Sequence, residues 1–265
     1  MEFVSNLSKM SSYVEEPVQY LLLTDHDFLK MNELIGREIK IEFQKEKYCI
    51  SCGNQFQDLY RMGFCKNCFY TSPEAGESII RPELSKAHEG VEDRDLAFEK
   101  EYQLQPHVVY LANSGGLKVG VTRDRQKTTR WTDQGASQAI VLALTTNRYE
   151  AGLIEVALKE VVADKTVWQK MLRNEDPEVD LIAERKRLAG HLNEELARFV
   201  SDDTTLYNLK YPVKNYPAKV KGINLDKNPE VQAILQGIRG QYLIFEGGGV
   251  LNIRGHSGYR VKISF

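Results

Sequence analysis

Between residues 107 and 122, apolar and polar positions alternate with a period of two, interrupted once by a turn. Val109, Leu111, Leu117, Val119 and Val121 fall on one side, and Val108, Tyr110, Ala112, Lys118, Gly120 and Thr122 on the other. Asn113-Ser114-Gly115-Gly116 supplies the turn signal, so the pattern predicts a hairpin with strands over 108–112 and 117–122. Tyr110 and Lys118 share a face only if the loop holds an odd number of residues. Farther on, the apolar run 138–145 suits a buried third strand. Asn147 offers an N-cap for a helix reaching about Val162. A second amphipathic helix is expected over 179–199, with Leu181, Ile182, Leu188, Leu192, Leu196 and Phe199 on its apolar side.

Toward the ends of the chain the period of two returns. Residues 38–43 alternate, as do 241–245, 250–254 and 259–263, and the last three are separated by Gly247-Gly248-Gly249 and Gly255-His256-Ser257-Gly258. That is a β-meander, but three strands alone make a marginal sheet, so the 38–43 strand is expected to join it. Residues 1–17 are polar and expected to be frayed, with a short helix around Asp27 to Met31. The stretch 73–106 contains Pro73, Pro82 and Pro106 and reads as a connector lying over the surface. The resulting expectation is an α+β protein of five parts. Residues 1–47 form an N-terminal helix and strand packed on the C-terminal sheet, 48–72 a metal-binding module and 73–106 an acidic connector. Residues 107–172 form a central hairpin, helix, strand and helix domain, and 173–265 an amphipathic helix with a β-rich region.

Composition adds two restrictions. No apolar run approaches the roughly 18–20 residues that a membrane helix requires, and the start Met1-Glu2-Phe3 lacks a basic leader, so a cytoplasmic protein is expected. Thirty-five basic against thirty-seven acidic residues leave a net charge of −2, so the whole molecule does not attract polyanions. Charge is unevenly spread, however. Residues 74–101 hold nine acids against four bases, whereas 118–130 hold Lys118, Arg123, Arg125, Lys127 and Arg130 against Asp124 alone. A local basic segment of that kind can bind phosphate on a neutral protein.

The four cysteines of the chain form two CxxC pairs, Cys49/Cys52 and Cys65/Cys68, separated by twelve residues. In a reducing compartment two such knuckles are the pattern of a tetrahedral zinc site, and four thiolates leave no open position for water. The expected zinc is therefore structural, holding together a hairpin with too few apolar residues to fold alone. A redox dithiol would need one CxxC beside a βαβ unit, which this segment lacks.

The central order resembles the GIY-YIG nuclease superfamily. Val108-Val109-Tyr110 is similar to its first motif, and Lys118-Val119-Gly120 to its second with lysine in place of tyrosine. Arg130 in Thr129-Arg130-Trp131 matches the family arginine, and Glu155 in Glu150-Ala151-Gly152-Leu153-Ile154-Glu155 matches the glutamate that holds metal. About 65 residues are covered. With its cysteine quartet, the arrangement also resembles an uncharacterised bacterial family that carries a domain of unknown function. The superfamily resemblance implies Mg²⁺-dependent hydrolysis of phosphodiesters in a structured nucleic acid. Glu155 would hold the Mg²⁺ and Arg130 would grip the phosphate. Tyr110 would act as general base, its phenol lowered from about 10 by the Lys118 cation.

Plainer readings stay open beside it. Tyr110 is then a packing residue, Arg130 stacks on Trp131, and Glu155 pairs with Lys159 four residues on. The alternative function is a non-catalytic, zinc-stabilised module that binds nucleic acid or a protein partner. The segment 207–221 interleaves Tyr207, Tyr211 and Tyr216 with Lys210, Lys214, Lys219 and Lys221. That mixture suits single-stranded nucleic acid, or simply an exposed loop.

Overall fold

The computed structural model describes residues 1–162 and 167–265. Residues 163–166, inside the 107–172 unit, lie outside the described set. Three sheets organise the chain. The largest is drawn from both termini and runs in the order Glu2–Asn6, Tyr259–Ser264, Glu38–Tyr48, Glu230–Arg239, Tyr242–Phe245, Gly249–Asn252 and Lys221–Gly222. Each pair is antiparallel except the last, which is parallel. The strand expected over 38–43 does join the C-terminal meander, and it extends to Tyr48. There the two-residue strand Gln55–Phe56 pairs with it and roots the cysteine module.

The N-terminus is not frayed. Glu2–Asn6 is an edge strand of the large sheet, while Ser11–Tyr13, Gln19–Leu23 and Phe28–Lys30 form a small three-stranded sheet. Leu7, Met10, Val18, Tyr20 and Leu22 are buried between the two sheets, against Ile39, Leu243 and Val261 among others. Few apolar residues sit among polar neighbours here, so local hydropathy is low although each one is buried. The helix expected around 27–31 is the strand Phe28–Lys30 followed by a single 3₁₀ turn, Met31–Leu34. The strand Glu230–Arg239 escaped the sequence pattern altogether. A register shift between Leu235 and Gly237 breaks its alternation where it pairs with Tyr242–Phe245.

The central sheet has the order Tyr207–Asn208, Gln138–Thr145, His107–Asn113, Leu117–Arg123. Its hairpin closes with Asn113 opposite Leu117, leaving three loop residues. The odd loop puts Tyr110 and Lys118 on one face, with Gly120 opposite Tyr110 and Lys118 opposite Ala112. On the other face, Val109, Leu111, Val119, Ile140 and Leu142 pack against Ala151, Ile154 and Leu158 of the helix Arg148–Lys159. Asn147 caps that helix by accepting from the Glu150 amide at 3.0 Å. Leu181 and Leu188 of the helix Leu181–Ala189 enter the same core. Packing therefore crosses the boundary expected at 172, and Tyr207–Asn208 crosses it again. The helix expected over 179–199 is two, Leu181–Ala189 and Glu194–Ala197, the second capped by Asn193.

The 73–106 stretch is an integral layer rather than a loose drape. Ser78, Ser85, Glu99 and Gln103 are buried. Glu99 accepts the amides of Asp93, Arg94 and Asp95, which explains a buried carboxylate without a cation. Arg94 donates to the Phe69 and Ser72 carbonyls and ties the layer to the cysteine module. Arg148 donates to the Ser78 and Ile79 carbonyls and ties it to the central domain.

Gly152 lies where this layer touches the helix, since a Cβ there would overlap the backbone of Pro82 and Glu83. On an open helix face Gly→Ala gains up to about 1 kcal/mol. Here Gly152→Ala is expected to destabilise by about 1–3 kcal/mol, because the obstructing atoms are backbone and cannot rotate away. Urea unfolding of the two proteins checks the sign, and a gain in stability would show that the layer is not packed there.

Candidate functional site: an arginine-lined pocket beside a cysteine cluster

Two sites deserve separate description, and the first is the cysteine quartet. The four Sγ atoms lie within 4.8 Å of one another, a separation that a single tetrahedral metal ion can span. Cys49, Cys65 and Cys68 are buried and Cys52 is exposed, and no disulfide links them. Backbone amides are turned toward the sulfurs: Cys65 N–H donates to Cys49 Sγ at 3.2 Å and Cys68 N–H to Cys65 Sγ at 3.4 Å. Burial pushes the Cys49 thiol up, but the amides of Cys52, Cys65 and Ser51 outweigh it and bring the group down to about 6. That is the thiolate form a metal needs. Gly53 and Gly63, at φ +70° and +88°, turn the backbone at each knuckle. The residues therefore fit a metal such as zinc.

The second site is a cavity of about 350 Å³ whose walls come from every part of the chain. Thr122, Arg123, Gln126 and Arg130 come from the hairpin and the helix Lys127–Asp133. Arg148 comes from the next helix, Tyr102 and Ile79 from the 73–106 layer, Met62 from the cysteine module, Lys9 from the N-terminal segment and Arg254 from the 3₁₀ turn after the strand Gly249–Asn252. Four guanidinium groups and one ammonium face this space against one carboxylate, Asp133. That carboxylate is already engaged, by Lys9 Nζ at 2.6 Å and Gln241 Nε2 at 2.9 Å.

Charge and contacts show the strain of gathering these cations. Burial first, then the neighbouring Arg130 charge, hold the Arg254 guanidinium below its ordinary value. Burial likewise lowers Arg148, with Arg130 and Arg123 adding to it against Tyr102 and Glu155. Arg123 rests 4.1 Å from the centre of the Tyr102 ring, and Arg148 sits 5.7 Å from it. Arg130 Nε is buried and has no hydrogen-bond partner among the described residues. A buried charged donor without an acceptor is costly, and the arrangement accordingly favours an anion.

The four residues singled out from the sequence are placed unequally. Arg130 lines the cavity. Tyr110 lies directly behind it, fully buried, with its hydroxyl donating to Gln134 Oε1 at 3.0 Å. Burial pushes the Tyr110 phenol up, and Arg130 and Gln134 only partly oppose this. Burial therefore outweighs the depression that a general base would need, and the leading groups acting on the phenol are Arg130, Gln134 and Glu155. Lys118 stands opposite Ala112, one cross-strand pair removed along the same face. Glu155 is nearly buried and pairs with Lys159 at 3.5 Å. Its carboxylate also acts on Tyr110 and Arg148, although it does not line the cavity. Trp131 meets Tyr110 edge-on and Tyr207 at a tilt.

Sequence reasoning missed Lys9, Arg148 and Arg254, which lie outside the 118–130 basic run. In the interleaved 207–221 segment Tyr207, Tyr211 and Tyr216 are half-buried, while Lys210, Lys214, Lys219 and Lys221 are exposed. Tyr211 donates to the Ala136 carbonyl, and Tyr211 and Tyr216 flank the buried Arg239. Lys210 pairs with Glu16. Among the described residues, no helix is long and apolar enough to cross a membrane.

Fold and site together define an α+β protein in which a four-cysteine module contributes Met62 to the wall of an arginine-lined cavity. The chain belongs to the family of proteins of unknown function DUF2797, whose model matches residues 36–261. The match takes in the cysteine quartet and each arginine of the pocket but not Lys9. Neither a curated protein nor a solved structure matches the chain.

His107 begins the strand that carries Tyr110, and its ring is fully buried. Its Nδ1 bonds the Gln105 carbonyl at 2.7 Å, while Nε2 has no partner among the described residues. Burial, aided by the Arg148 and Arg123 charges, lowers the imidazole to about 4. The unfolded chain protonates near the ordinary value of about 6.5, so this contribution is fully present above that pH and is lost as pH falls toward 4. The loss is expected to reach up to about 3 kcal/mol. Denaturant titrations at stepped pH should show a shallower decline for His107→Gln than for the wild type. Parallel curves would contradict the assignment.

Proposed function

We propose that the arginine pocket binds backbone phosphates of a nucleic acid, and that the cysteine module is a structural zinc site forming one wall of it. The observation that carries the proposal is the convergence of Arg123, Arg130, Arg148 and Arg254 on one cavity where, among the described residues, the one lining carboxylate, Asp133, is already paired with Lys9. Planar guanidinium groups match phosphate oxygens in pairs, and the unpartnered Nε of Arg130 is a donor held ready. Binding of this sort is sequence-independent and weakens with salt, as counterions are released. A thiol quartet without disulfides suits a reducing compartment such as the cytoplasm.

A second reading, Mg²⁺-dependent phosphodiester hydrolysis of the GIY-YIG type, is favoured by the Glu155 carboxylate acting on both Tyr110 and Arg148. Among the described residues the cysteine quartet is the sole cluster of three or more metal-ligating side chains. Magnesium would therefore rest on Glu155 and water, where it would supply charge neutralisation to a bound phosphate. The chain's own residues supply binding: Arg130 and Arg254 would orient the phosphate, and Tyr110, its proton already given to Gln134, braces Arg130 from behind. Phosphate binding ranks first because Tyr110 is buried in its neutral form and Glu155 already has a cation, Lys159.

Anisotropy titrations with a labelled oligonucleotide over a range of salt test the first reading. Arg130→Ala and Arg254→Ala should each weaken binding and reduce the log–log salt slope by about one. Slopes equal to that of the wild type would remove the pocket from the function. Adding Mg²⁺ tests the second reading: cleavage abolished by Glu155→Ala supports hydrolysis, and an intact oligonucleotide leaves binding alone.

The zinc assignment makes its own prediction. The purified chain should carry about one zinc per molecule, and a chelator should unfold the 48–72 hairpin, because the metal's binding energy is also its folding energy. Metal-free protein with an unchanged circular dichroism spectrum and unfolding curve would contradict this.

A further inference from the structure

One surface feature is used by neither site. On the cysteine module, Tyr60, Phe69 and Tyr70 form an aromatic cluster in which Tyr60 is 41% and Tyr70 55% exposed. The ring centres lie 5.2 to 5.7 Å apart. The Tyr60 and Tyr70 hydroxyls are hydrogen-bonded to each other at 3.0 Å. The Arg61 guanidinium lies over Tyr60 and Phe69, 5.5 and 5.8 Å from their centres. The small core of the module is built from Leu59, Phe64 and Ala75 around the cysteines. Tyr60 and Tyr70 are not needed to fill it, and an apolar surface left outside a core is the usual mark of a contact face.

The loop that follows connects this face to the pocket. Tyr60 N–H bonds the Phe64 carbonyl at 2.7 Å and Phe64 N–H the Arg61 carbonyl at 2.9 Å. Between them Met62 takes φ +54°, a left-handed conformation that a residue with a Cβ adopts at a cost. The tight turn sends Met62 outward, where it becomes part of the wall of the arginine cavity. Arg61 is therefore one residue from the phosphate pocket and in contact with the aromatic rings. The nearest carboxylate in sequence, Asp58, is held by Lys47 at 2.7 Å. The face is thus aromatic and cationic, and it is continuous with a pocket of arginines.

We infer that Tyr60, Phe69 and Tyr70, with Arg61 laid against them, are a stacking platform for unpaired bases of a nucleic acid whose backbone phosphates enter the adjoining pocket. The inference rests on the phosphate-binding proposal and names the class of strand. Aromatic faces accept any base whose own face is free, whereas paired bases are stacked inside a duplex and cannot reach them. Arginine beside the rings adds attraction to both base and phosphate. Adjacent stacking and phosphate sites are the combination that holds a single strand without reading its sequence.

The test compares a fluorescein-labelled oligothymidylate with a hairpin duplex carrying the same number of phosphates, at one salt concentration, on the full chain. Wild type should bind the single strand more tightly. The double variant Tyr60→Ala, Tyr70→Ala should lose about 5- to 100-fold for the single strand and little for the duplex. Tyr60→Phe, Tyr70→Phe should keep wild-type affinity, because the ring faces remain. Zinc content and thermal unfolding of both variants should match the wild type, as both rings are exposed. Arg130→Ala should weaken both ligands. If Arg130→Ala weakens both while the alanine pair changes neither, the platform is wrong and the pocket stands. If Arg130→Ala changes neither ligand, the pocket reading fails and the platform falls with it. Equal losses for single strand and duplex, or a wild type that prefers duplex, would also overturn the platform.

Discussion

Asp133 is the point on which the rest of the structure depends. It ends the short helix that carries Arg130, and its nearly buried carboxylate is shared between Lys9 from the N-terminal segment and Gln241 from the large sheet. Gln241 in turn bonds both the amide and the carbonyl of Met10, and Ser12 is hydrogen-bonded to Thr132. These polar links join elements more than a hundred residues apart. Breaking one partner of such a buried set leaves the others unsatisfied, which costs more than the bond itself contributes. The set also places Lys9 and Asp133 together on the wall of the cavity, beside Arg130 on the same helix.

The close approach of Tyr110 to Gly120 shows how backbone choice supports the same geometry. A Cβ at Gly120 would fall 2.5 Å from the Tyr110 hydroxyl oxygen. The phenol therefore crosses the opposite strand in space that any other residue would fill, and it meets Arg130 and Gln134 beyond. With the tyrosine shut in and neutral, its part is to brace the arginine. What lines the cavity is a group of arginines, joined by the loop of the cysteine module at Met62.

How far the sequence foretold this depends on how local each feature is. The hairpin, the third strand and the Asn147-capped helix were legible because alternation, turn residues and a cap all act within a few residues. The cysteine quartet was legible because spacing alone brings two knuckles round one ion. The N-terminal strands were not, because Leu7, Met10 and Leu22 reveal themselves as core only through partners near the other end of the chain. Glu230–Arg239 was hidden by its bulge. At the site, Arg130 was visible within a basic run. Lys9, Arg148 and Arg254 were not, since long-range packing assembles them and no spacing connects them. In 207–221 the lysines are exposed, as their order suggests, whereas the half-burial of the tyrosine rings was hidden because Tyr211 meets Ala136 and Arg239, both distant in sequence.

The central claim is that the guanidinium groups gathered around one cavity bind an anion. Side-chain Nε–Hε resonances of arginine report it directly, in a titration of isotope-labelled protein with inorganic phosphate. The Arg130 signal should shift saturably, because its Nε has no hydrogen-bond partner among the described residues. The Arg239 signal should stay fixed, because its Nε donates to the Gly135 carbonyl at 2.9 Å. An Arg130 resonance that ignores phosphate, or that moves only in step with Arg239 and bulk ionic strength, would contradict the claim.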